Sequence, residues 1–380
     1  MKKRVWAIAL LMAALAAAGA FMVWRDLYRP FRGYQGNAIL VIAPGTHAWD
    51  VASIFTSRGI LAHRWPFLFR YWLGRSRHRL RAGEYLFDRP LSPADVYRKL
   101  ILGDVFLHAV VIPEGSDRFD TARIFQQQLE LNPQEFLQVS ERSAAIRDLD
   151  PQAPTLEGYL FPDTYRFPRG VSVETVISAM LTRFRHVLAG KLAQSGRGPG
   201  VRLHEVVTLA SMVEKETPAP GERPVIAGIF ARRLAKGMAL QCDPTVVYAA
   251  RLHQRPIGPI TEQDLNINSP YNTYRYSGLP PGPICNPGEA SLAAALQPAQ
   301  GNTLYFVSNG HGGHVFARTL AEHQSNVARY RKALAALRRE VGSNTRRVER
   351  GSPPQNHREN KAKNPSVKSA QDSLQKTGHP

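Results

Sequence analysis

The chain has 380 residues, of which 43% are hydrophobic, so it can bury one large core or two to three modest ones. Its 49 Lys and Arg residues outnumber 30 Asp and Glu residues, and the formal net charge of +19 favours anionic partners such as phospholipid headgroups or an acidic polymer. The sequence contains no zinc-finger spacing, RNP-like aromatic run or Walker loop, so no nucleic acid is expected as a partner.

The sequence contains two cysteines, Cys242 and Cys285, which do not have CxxC spacing. A zinc site or a dithiol redox centre is therefore not expected. A disulfide between them needs an oxidising compartment and a suitable geometry, and the sequence leaves that question open. His311 and His314 are interpreted as residues of a hairpin turn, because no matching set of metal ligands accompanies them. We expect neither a metal nor a cofactor.

An apolar segment, residues 5–24, follows a basic N-terminus. It is long enough to cross the core of a bilayer, and Trp6 and Trp24 lie at its ends, where interfacial aromatics belong. A cleaved signal peptide is the alternative, because residues 16–20 offer small-residue cleavage sites. Since the apolar run is longer than the apolar core of an ordinary signal peptide, we expect an uncleaved anchor with a short cytoplasmic tip, residues 1–4, and the bulk of the chain outside.

A polar linker, residues 25–36, leads to a small module, residues 37–105. Apolar runs and helical spacing predict a strand at 38–42, helices near 46–59 and 65–73, a strand at 83–87 and a helix at 92–102. This order predicts an α+β module that resembles a LysM-like, glycan-binding domain. A structural spacer without a ligand is the alternative.

The rest of the chain predicts a larger mixed α/β domain, residues 106–339, so the overall fold class is α+β. Helices are expected at 120–131, 133–143, 172–194, 222–236, 244–248, 290–295 and 320–339, and strands at 105–113, 303–308 and 312–316. Residues 156–165 are rich in aromatics, which we expect mainly in the core, although sugars also stack on exposed rings. After Val341 large apolar residues nearly vanish, so residues 340–380 are expected to be a disordered basic tail.

Residues 204–217 predict one amphipathic helix that ends in two carboxylates, Glu214 and Glu216, and is stopped by Pro218 and Pro220. Desolvation near a helix end raises the pKa of a carboxyl group, and a carboxylic acid protonated near neutral pH suits a general acid. A solvated helix cap is the competing interpretation. Both glutamates have apolar neighbours on their own face of the helix, so periodicity does not distinguish them.

Six segments occur in the order seen in one protein family. They are residues 156–165 (LEGYLFPDTY), 212–217 (MVEKET), 240–246 (LQCDPTV), 271–274 (YNTY), 278–282 (GLPPG) and the pair 305–306 with 314–316. Together they resemble the endolytic murein transglycosylases, the MltG or YceG-like family of bacterial inner-membrane proteins. The resemblance extends from the N-terminal anchor to about residue 338 and excludes the tail.

The resemblance implies a lyase, a peptidoglycan lytic transglycosylase, that acts on nascent glycan strands. It implies cleavage of the β-1,4 bond between N-acetylmuramic acid and N-acetylglucosamine, with the muramic 6-hydroxyl closing on C1 to leave a 1,6-anhydro end. Such cuts terminate glycan elongation near the penicillin-binding synthases, which are the implied protein partners. The implied location is the inner membrane, crossed once, with the bulk of the chain in the periplasm.

The family's catalytic glutamate corresponds to Glu214, which implies that Glu214 acts as the single general acid and base. The resemblance also implies a set of substrate-binding residues: Glu216, Gln241, Asp243, Asn272 and Tyr274. Capping of a turn is the alternative role for Asp243, and Glu216 can instead pair with an arginine. Lys215 and Arg223 are expected either to contact substrate carboxylates or to neutralise the two glutamates.

Two other functions remain open at this stage. The first is a non-catalytic scaffold that binds glycan through its N-terminal module and recruits cell-wall synthases. The second is a two-carboxylate hydrolase, which leaves reducing ends instead of anhydro ends.

Overall fold

A computed structural model describes residues 2–74, 79–196, 201–255 and 258–351, with side chains described as far as residue 336. Within these residues the chain forms twelve α-helices and three two-stranded sheets, which confirms the predicted mixture of helix and strand. The chain divides into two units. The first contains the chain to Val110 with residues 128–130 and 166–171, and the second contains the remainder.

Helix α1, Lys2–Tyr28, is the N-terminal apolar helix. The most apolar 18-residue stretch within Lys3–Tyr28 has a mean hydropathy of 2.2 and no buried residues. By length and composition it can cross a membrane, which is consistent with the predicted anchor. Among the described residues it is the one helix that meets these criteria.

The first unit continues with strand β1 (Ala38–Ile42), helices α2 (Ala48–Ser57) and α3 (Arg64–Gly74), strand β2 (Gly83–Phe87) and helix α4 (Pro93–Leu102). This is the predicted order of elements. The two strands pair antiparallel with Ala38 opposite Phe87 and Ile42 opposite Gly83. Alternate residues of β1, Leu40 and Ile42, point into a core, because successive side chains of a strand face opposite sides. The largest members of this core are Phe55, Phe67, Phe87, Tyr85 and Tyr97.

The remaining elements follow in chain order. They are β3 (His108–Val111), α5 (Arg118–Leu129), α6 (Pro133–Glu141), β4 (Thr164–Phe167), α7 (Val173–Ser195), α8 (Leu203–Glu216), α9 (Arg223–Ala235), α10 (Asp243–Leu252), α11 (Glu289–Leu296), β5 (Tyr305–Ser308), β6 (His314–Ala317) and α12 (Leu320–Gly351). Strand β3 pairs with β4, and β5 with β6. Short 3-10 helices lie at Ser143–Ile146, Pro220–Glu222 and Asp264–Asn266.

Helix α8 is more buried than an amphipathic helix. All residues from Val206 to Val213 are buried, since α9, α10 and α11 pack around it. Its polar residues Thr208 and Ser211 are fully buried too, and the Ser211 hydroxyl donates to the carbonyl oxygen of Thr208 at 2.7 Å. The expected amphipathic pattern was therefore wrong in the middle of this helix. Ser211 is buried because its hydroxyl bonds to the backbone, whereas the buried Thr208 hydroxyl has no hydrogen-bond partner among the described residues.

Helix α12 runs past its predicted end at residue 339 and continues to Gly351. The added segment is rich in Arg and Glu, which are good helix formers. The start of the expected disordered tail is therefore helical, while residues 352–380 lie outside the described residues.

Candidate functional site

Glu214 lies in the last turn of α8, and its side chain is only 5% exposed. Oε1 accepts a hydrogen bond from Nη2 of Arg223, the first residue of α9, at 2.9 Å. Oε2 accepts one from the backbone N–H of Gly288, the N-cap residue of α11, also at 2.9 Å. The end of one helix and the starts of two others therefore meet at this carboxylate.

A second carboxylate, Glu114, lies beside the same arginine. Its Oε2 is 3.7 Å from Nη2 of Arg223, and its side chain is 48% exposed whereas that of Arg223 is 8% exposed. Burial and the negative charge of Glu214 raise the pKa of Glu114, while the Arg223 guanidinium opposes that rise. Glu114 was missed by the sequence analysis. The available signal was its place in a Pro-Glu-Gly turn after a strand, because functional side chains are common on such loops.

The loop that carries Glu114 is fastened to α8 and to the start of α11. Gly115, at φ 75°, has the left-handed conformation that suits glycine. Its N–H donates to the carbonyl oxygen of Asn286 at 3.0 Å, and its own carbonyl oxygen accepts from Nζ of Lys215 at 3.3 Å. Lys215 therefore holds the loop, while Arg223 alone of the two expected basic residues pairs with Glu214.

Other predicted site residues gather around the start of α10. The Tyr274 hydroxyl donates to Oδ1 of Asp243 at 2.5 Å, and Asp243 is the first residue of the helix. Gln241 is exposed with φ 50°, and its N–H donates to the carbonyl oxygen of Thr273 at 3.2 Å. A non-glycine residue rarely adopts this conformation, so the turn at Gln241 is strained.

Glu216 belongs to this second group. Burial and the charge of Glu216 raise the pKa of the neighbouring Cys242 thiol. The same charge also favours a higher pKa at Arg233 and at Tyr274. Residues two positions apart on a helix point about 200° apart, so Glu214 and Glu216 face different surroundings at the end of α8. The structure thus divides the predicted residues into a Glu214 group and an Asp243–Tyr274 group.

Asn272 has a different setting from the one expected for a substrate contact. It is fully buried, and its side-chain amide donates to the carbonyl oxygens of Leu265 and Ile267, both at 2.9 Å. Its Oδ1 accepts from the N–H of Tyr274 at 3.1 Å. All of these bonds hold the loop before Tyr274, so in this structure Asn272 supports the loop and does not face solvent.

The aromatic segment 156–165 is part of the core, as predicted, with Leu156, Tyr159, Leu160, Phe161 and Tyr165 all buried. It also contributes Glu157, which accepts the backbone N–H of Arg118 at 3.0 and 3.2 Å and the Tyr248 hydroxyl at 3.1 Å. Burial and the nearby charge of Asp117 raise the pKa of Glu157 to about 8. This buried acid lies under the loop that carries Glu114.

The remaining expectations concern the cysteines and the two histidines. Cys242 and Cys285 are both free and buried. Strands β5 and β6 form the predicted hairpin, in which Nδ1 of His314 lies 2.7 Å from Oε2 of Glu222. Across the described part of the chain, no group of three or more His, Cys, Asp or Glu residues could hold a metal ion.

Known proteins similar to this chain identify its family. The model of the YceG-like family matches residues 40–329, more than half of the chain, so the chain belongs to the YceG-like family. A Bacillus subtilis (strain 168) protein named endolytic murein transglycosylase is 29% identical over 333 residues, covering 83% of this chain and 91% of that protein. A Streptococcus pneumoniae (strain D39) protein of the same name is 27% identical over 354 residues, covering 84% of this chain and 64% of that protein.

The fold is also similar to that of a solved structure. A crystal structure of a YceG-like protein from Listeria monocytogenes matches with a TM-score of 0.51 and 30% sequence identity, covering 76% of this chain and 98% of that one. The relatives' shared name is that of a lytic transglycosylase, which is a lyase. The resemblance drawn from the six sequence segments is therefore confirmed at the level of the family.

Proposed function

We propose that this protein is a membrane-anchored endolytic murein transglycosylase and that Glu214 is its general acid and base. The observation that carries the proposal is the nearly buried carboxylate of Glu214, held by Arg223 and Gly288 where three helix ends meet. Such a fixed position is what proton transfer in a transition state requires. The relatives named endolytic murein transglycosylase support the same activity.

One carboxyl group is sufficient for this reaction because the nucleophile belongs to the substrate. Glu214 protonates the glycosidic oxygen that leaves N-acetylmuramic acid. As a carboxylate it then takes the proton of the muramic 6-hydroxyl, which bonds to C1. Intramolecular placement of that hydroxyl replaces an enzyme-borne nucleophile. The product carries a 1,6-anhydro end, and no water is consumed.

The second group of polar residues is proposed to bind the sugars. Tyr274 and Asp243 form a hydrogen-bonded pair, and Gln241 is exposed at a strained turn beside them. Amide, phenol and carboxylate groups suit the hydroxyl and N-acetyl groups of the strand. Glu216 lies on this side of α8 and is proposed to support the sugar-binding residues.

The setting of the reaction is proposed from the anchor. Helix α1 holds the chain in the inner membrane, and the rest of the first unit and the second unit lie in the periplasm, where nascent strands emerge. Cutting there terminates glycan elongation, so cell-wall synthases are the expected protein partners.

The test of the Glu214 assignment is the full-length Glu214→Gln variant, assayed on glycan strands by mass spectrometry of the released products. The amide keeps the size of the side chain but cannot exchange a proton, so release of anhydro products falls by about 10²-fold to 10⁴-fold. Glu205→Gln, in the first turn of the same helix and paired with Arg202, is the matched control and keeps its activity.

Three results would overturn this proposal. If Glu214→Gln yields as much anhydro product as the unaltered enzyme, Glu214 is not the acid. If the products carry one additional water, the enzyme is a hydrolase with two carboxylates. A fully inactive unaltered protein that still binds glycan would point to the scaffold function.

A glycan-binding role of the first unit is supported by a separate observation. Helix α3 exposes Trp65, Phe69 and Trp72, and the rings of Phe69 and Trp72 stack with their centroids 6.4 Å apart. An exposed aromatic face of this kind marks a binding surface. We infer that the LysM-like module holds the strand through this face.

A further inference from the structure

Two carboxylates compete for one nitrogen of Arg223. Nη2 of Arg223 lies 2.9 Å from Oε1 of Glu214 and 3.7 Å from Oε2 of Glu114. The first distance is a hydrogen bond, whereas the second is an ion pair just beyond hydrogen-bonding range. Glu214 is almost fully enclosed, while Glu114 faces solvent with about half of its side chain. The guanidinium therefore sits between an enclosed carboxylate and an accessible one.

The Glu114 carboxylate lies directly over Gly288, where a larger residue would displace it. A Cβ atom at Gly288 would lie 2.0 Å from Oε1 and 2.6 Å from Oε2 of Glu114, distances that real Cβ atoms do not show. The backbone of Gly288, at φ −77° and ψ 176°, is one that any residue adopts. At the residue whose N–H binds Glu214, a side chain would therefore collide with the Glu114 carboxylate in its present position, and only movement of that half-exposed side chain would relieve the collision.

The proposed reaction needs Glu214 to release one of its present bonds. Both of its oxygens accept hydrogen bonds, from Arg223 and from Gly288, so the arginine occupies the oxygen that could otherwise carry the proton. The Gly288 donor is a fixed backbone group. The Arg223 side chain can move, and its Nε is buried with no hydrogen-bond partner among the described residues, so turning the guanidinium breaks no bond there.

We propose that Glu114 is a positioning residue that takes the Arg223 guanidinium from Glu214, which frees Oε1 of Glu214 to hold and transfer the proton. This inference rests on the proposed function. A movement of Nη2 by about 1 Å exchanges the two partners, since hydrogen bonds form near 2.9 Å. Glu114 keeps its own protonation state throughout. When Arg223 leaves, Glu214 takes up a proton from solvent, gives it to the leaving oxygen and receives another from the muramic 6-hydroxyl. That last proton returns to solvent when Arg223 pairs with Glu214 again.

The exchange predicts a pH dependence, because only the ionised form of Glu114 attracts the guanidinium. Among the described residues, the charged groups that act on Glu114 include Glu214 of α8, Arg223 of α9 and Glu289 of α11. Burial and the charges of Glu214 and Glu289 raise the pKa of Glu114 above 4.5, against the effect of Arg223. The acid limb of kcat/KM therefore lies above pH 4.5, the ordinary value for a glutamate.

Two variants of the full-length enzyme test the exchange on glycan strands. Glu114→Gln keeps the volume and removes the charge, so kcat falls by about 10²-fold with little change in KM, and the acid limb flattens. Gly288→Ala retains the N–H that binds Glu214 but forces the Glu114 carboxylate away from Arg223, and causes a similar loss. Gly221→Ala, which places its methyl group in open space near α9, is the matched control and keeps full activity.

A double-mutant cycle separates this mechanism from a general disturbance of the site. In a Glu114→Ala background the collision at residue 288 is gone, so adding Gly288→Ala changes kcat little. The inference is overturned if Glu114→Gln keeps the rate and the pH profile of the unaltered enzyme, or if Gly288→Ala costs the same in both backgrounds. If Gly288→Ala does not fold, as judged by its thermal transition, Glu114→Gln decides alone.

The outcome also distinguishes this inference from the proposed function. Failure of the proposed function leaves Glu214→Gln active. Failure of the inference alone leaves Glu214→Gln inactive and Glu114→Gln fully active.

Discussion

Asn286 is a fully buried residue whose side chain joins three segments of the second unit. Its Oδ1 accepts the N–H groups of Gly158 and Leu160 at 2.9 and 3.0 Å, and its Nδ2 donates to the carbonyl oxygen of Ser116 at 2.9 Å. The loop of Glu114 is thereby tied to the aromatic segment and to the approach of α11. Asn286 lies two residues before Gly288, so it also fixes the donor to Glu214.

Asn286→Ala should lower the free energy of unfolding by about 3 kcal/mol, because it leaves the two buried N–H groups of Gly158 and Leu160 without a partner, while the carbonyl oxygen of Ser116 keeps the backbone N–H of residue 286. The measurement is thermal or urea unfolding of the full chain. Asn268→Ala is the control, because Asn268 is exposed and the change should cost less than about 1 kcal/mol. An unchanged transition in Asn286→Ala would show that the amide is not a structural link.

At the scale of elements, the site depends on how α8 ends and α9 begins. Thr217 ends α8 in an extended conformation, and its hydroxyl donates to Oε2 of Glu222 at 3.0 Å. Burial alone would raise the pKa of Glu222, but its hydrogen bonds with His314 and Thr217 lower it. The turn held in this way delivers Arg223 to Glu214. Pro218 predicts the end of α8 from the sequence. His314, the residue of the β5–β6 hairpin that bonds to Glu222, is distant in sequence, so this contact is not predicted.

The exposed face of α3 is a second element with a testable role. Trp65, Phe69 and Trp72 follow one another at helical spacing and so share a face. Trp72→Ala should weaken retention of the protein on insoluble murein about 5-fold, because loss of one exposed aromatic contact costs about 1 kcal/mol. The Glu214→Gln background prevents cleavage during the measurement.

Leu102→Ala removes an exposed apolar side chain at the end of α4 and serves as the control for that measurement. It should leave retention unchanged. Equal retention of the Trp72→Ala protein would instead favour a spacer role for the module.

At the scale of the whole molecule, the proposed function requires all of the chain after α1 to lie on the outer side of the membrane. The native cysteines are suited to a labelling test, since Cys242 and Cys285 are buried and burial raises the pKa of both thiols. Buried, protonated thiols react slowly, so the background is low.

Ser57→Cys, at the exposed end of α2, should react with a membrane-impermeant maleimide in intact bacterial cells. Lys3→Cys, at the N-terminal tip, should react only after the membrane is permeabilised. The opposite pattern would reverse the orientation. If Lys3→Cys never labels, the N-terminus has been removed, as a signal peptide would be.

The sequence by itself determined the local features of this protein. The apolar run of α1, the strand–helix–helix–strand order of the first unit, the β5–β6 hairpin and the end of α8 near Pro218 all follow from patterns a few residues long. The burial of Val206 to Val213 in α8 did not follow from such patterns, because it depends on packing. Nor did the helical extension of α12, because its charged residues suit either helix or coil. The six segments identified the family, and the resemblance, not periodicity, selected Glu214 over Glu216.

Only the tertiary structure decided which groups surround Glu214. Arg223 and Gly288 reach it from the starts of two other helices, and Glu114 comes from a loop a hundred residues earlier in the chain. The same packing enclosed Asn272, which had been expected to contact substrate. Periodicity reports which face of one element is apolar, but it carries no information on which distant elements meet. Charge pairs and buried amides are formed by that meeting, so they appear only once the helices have packed.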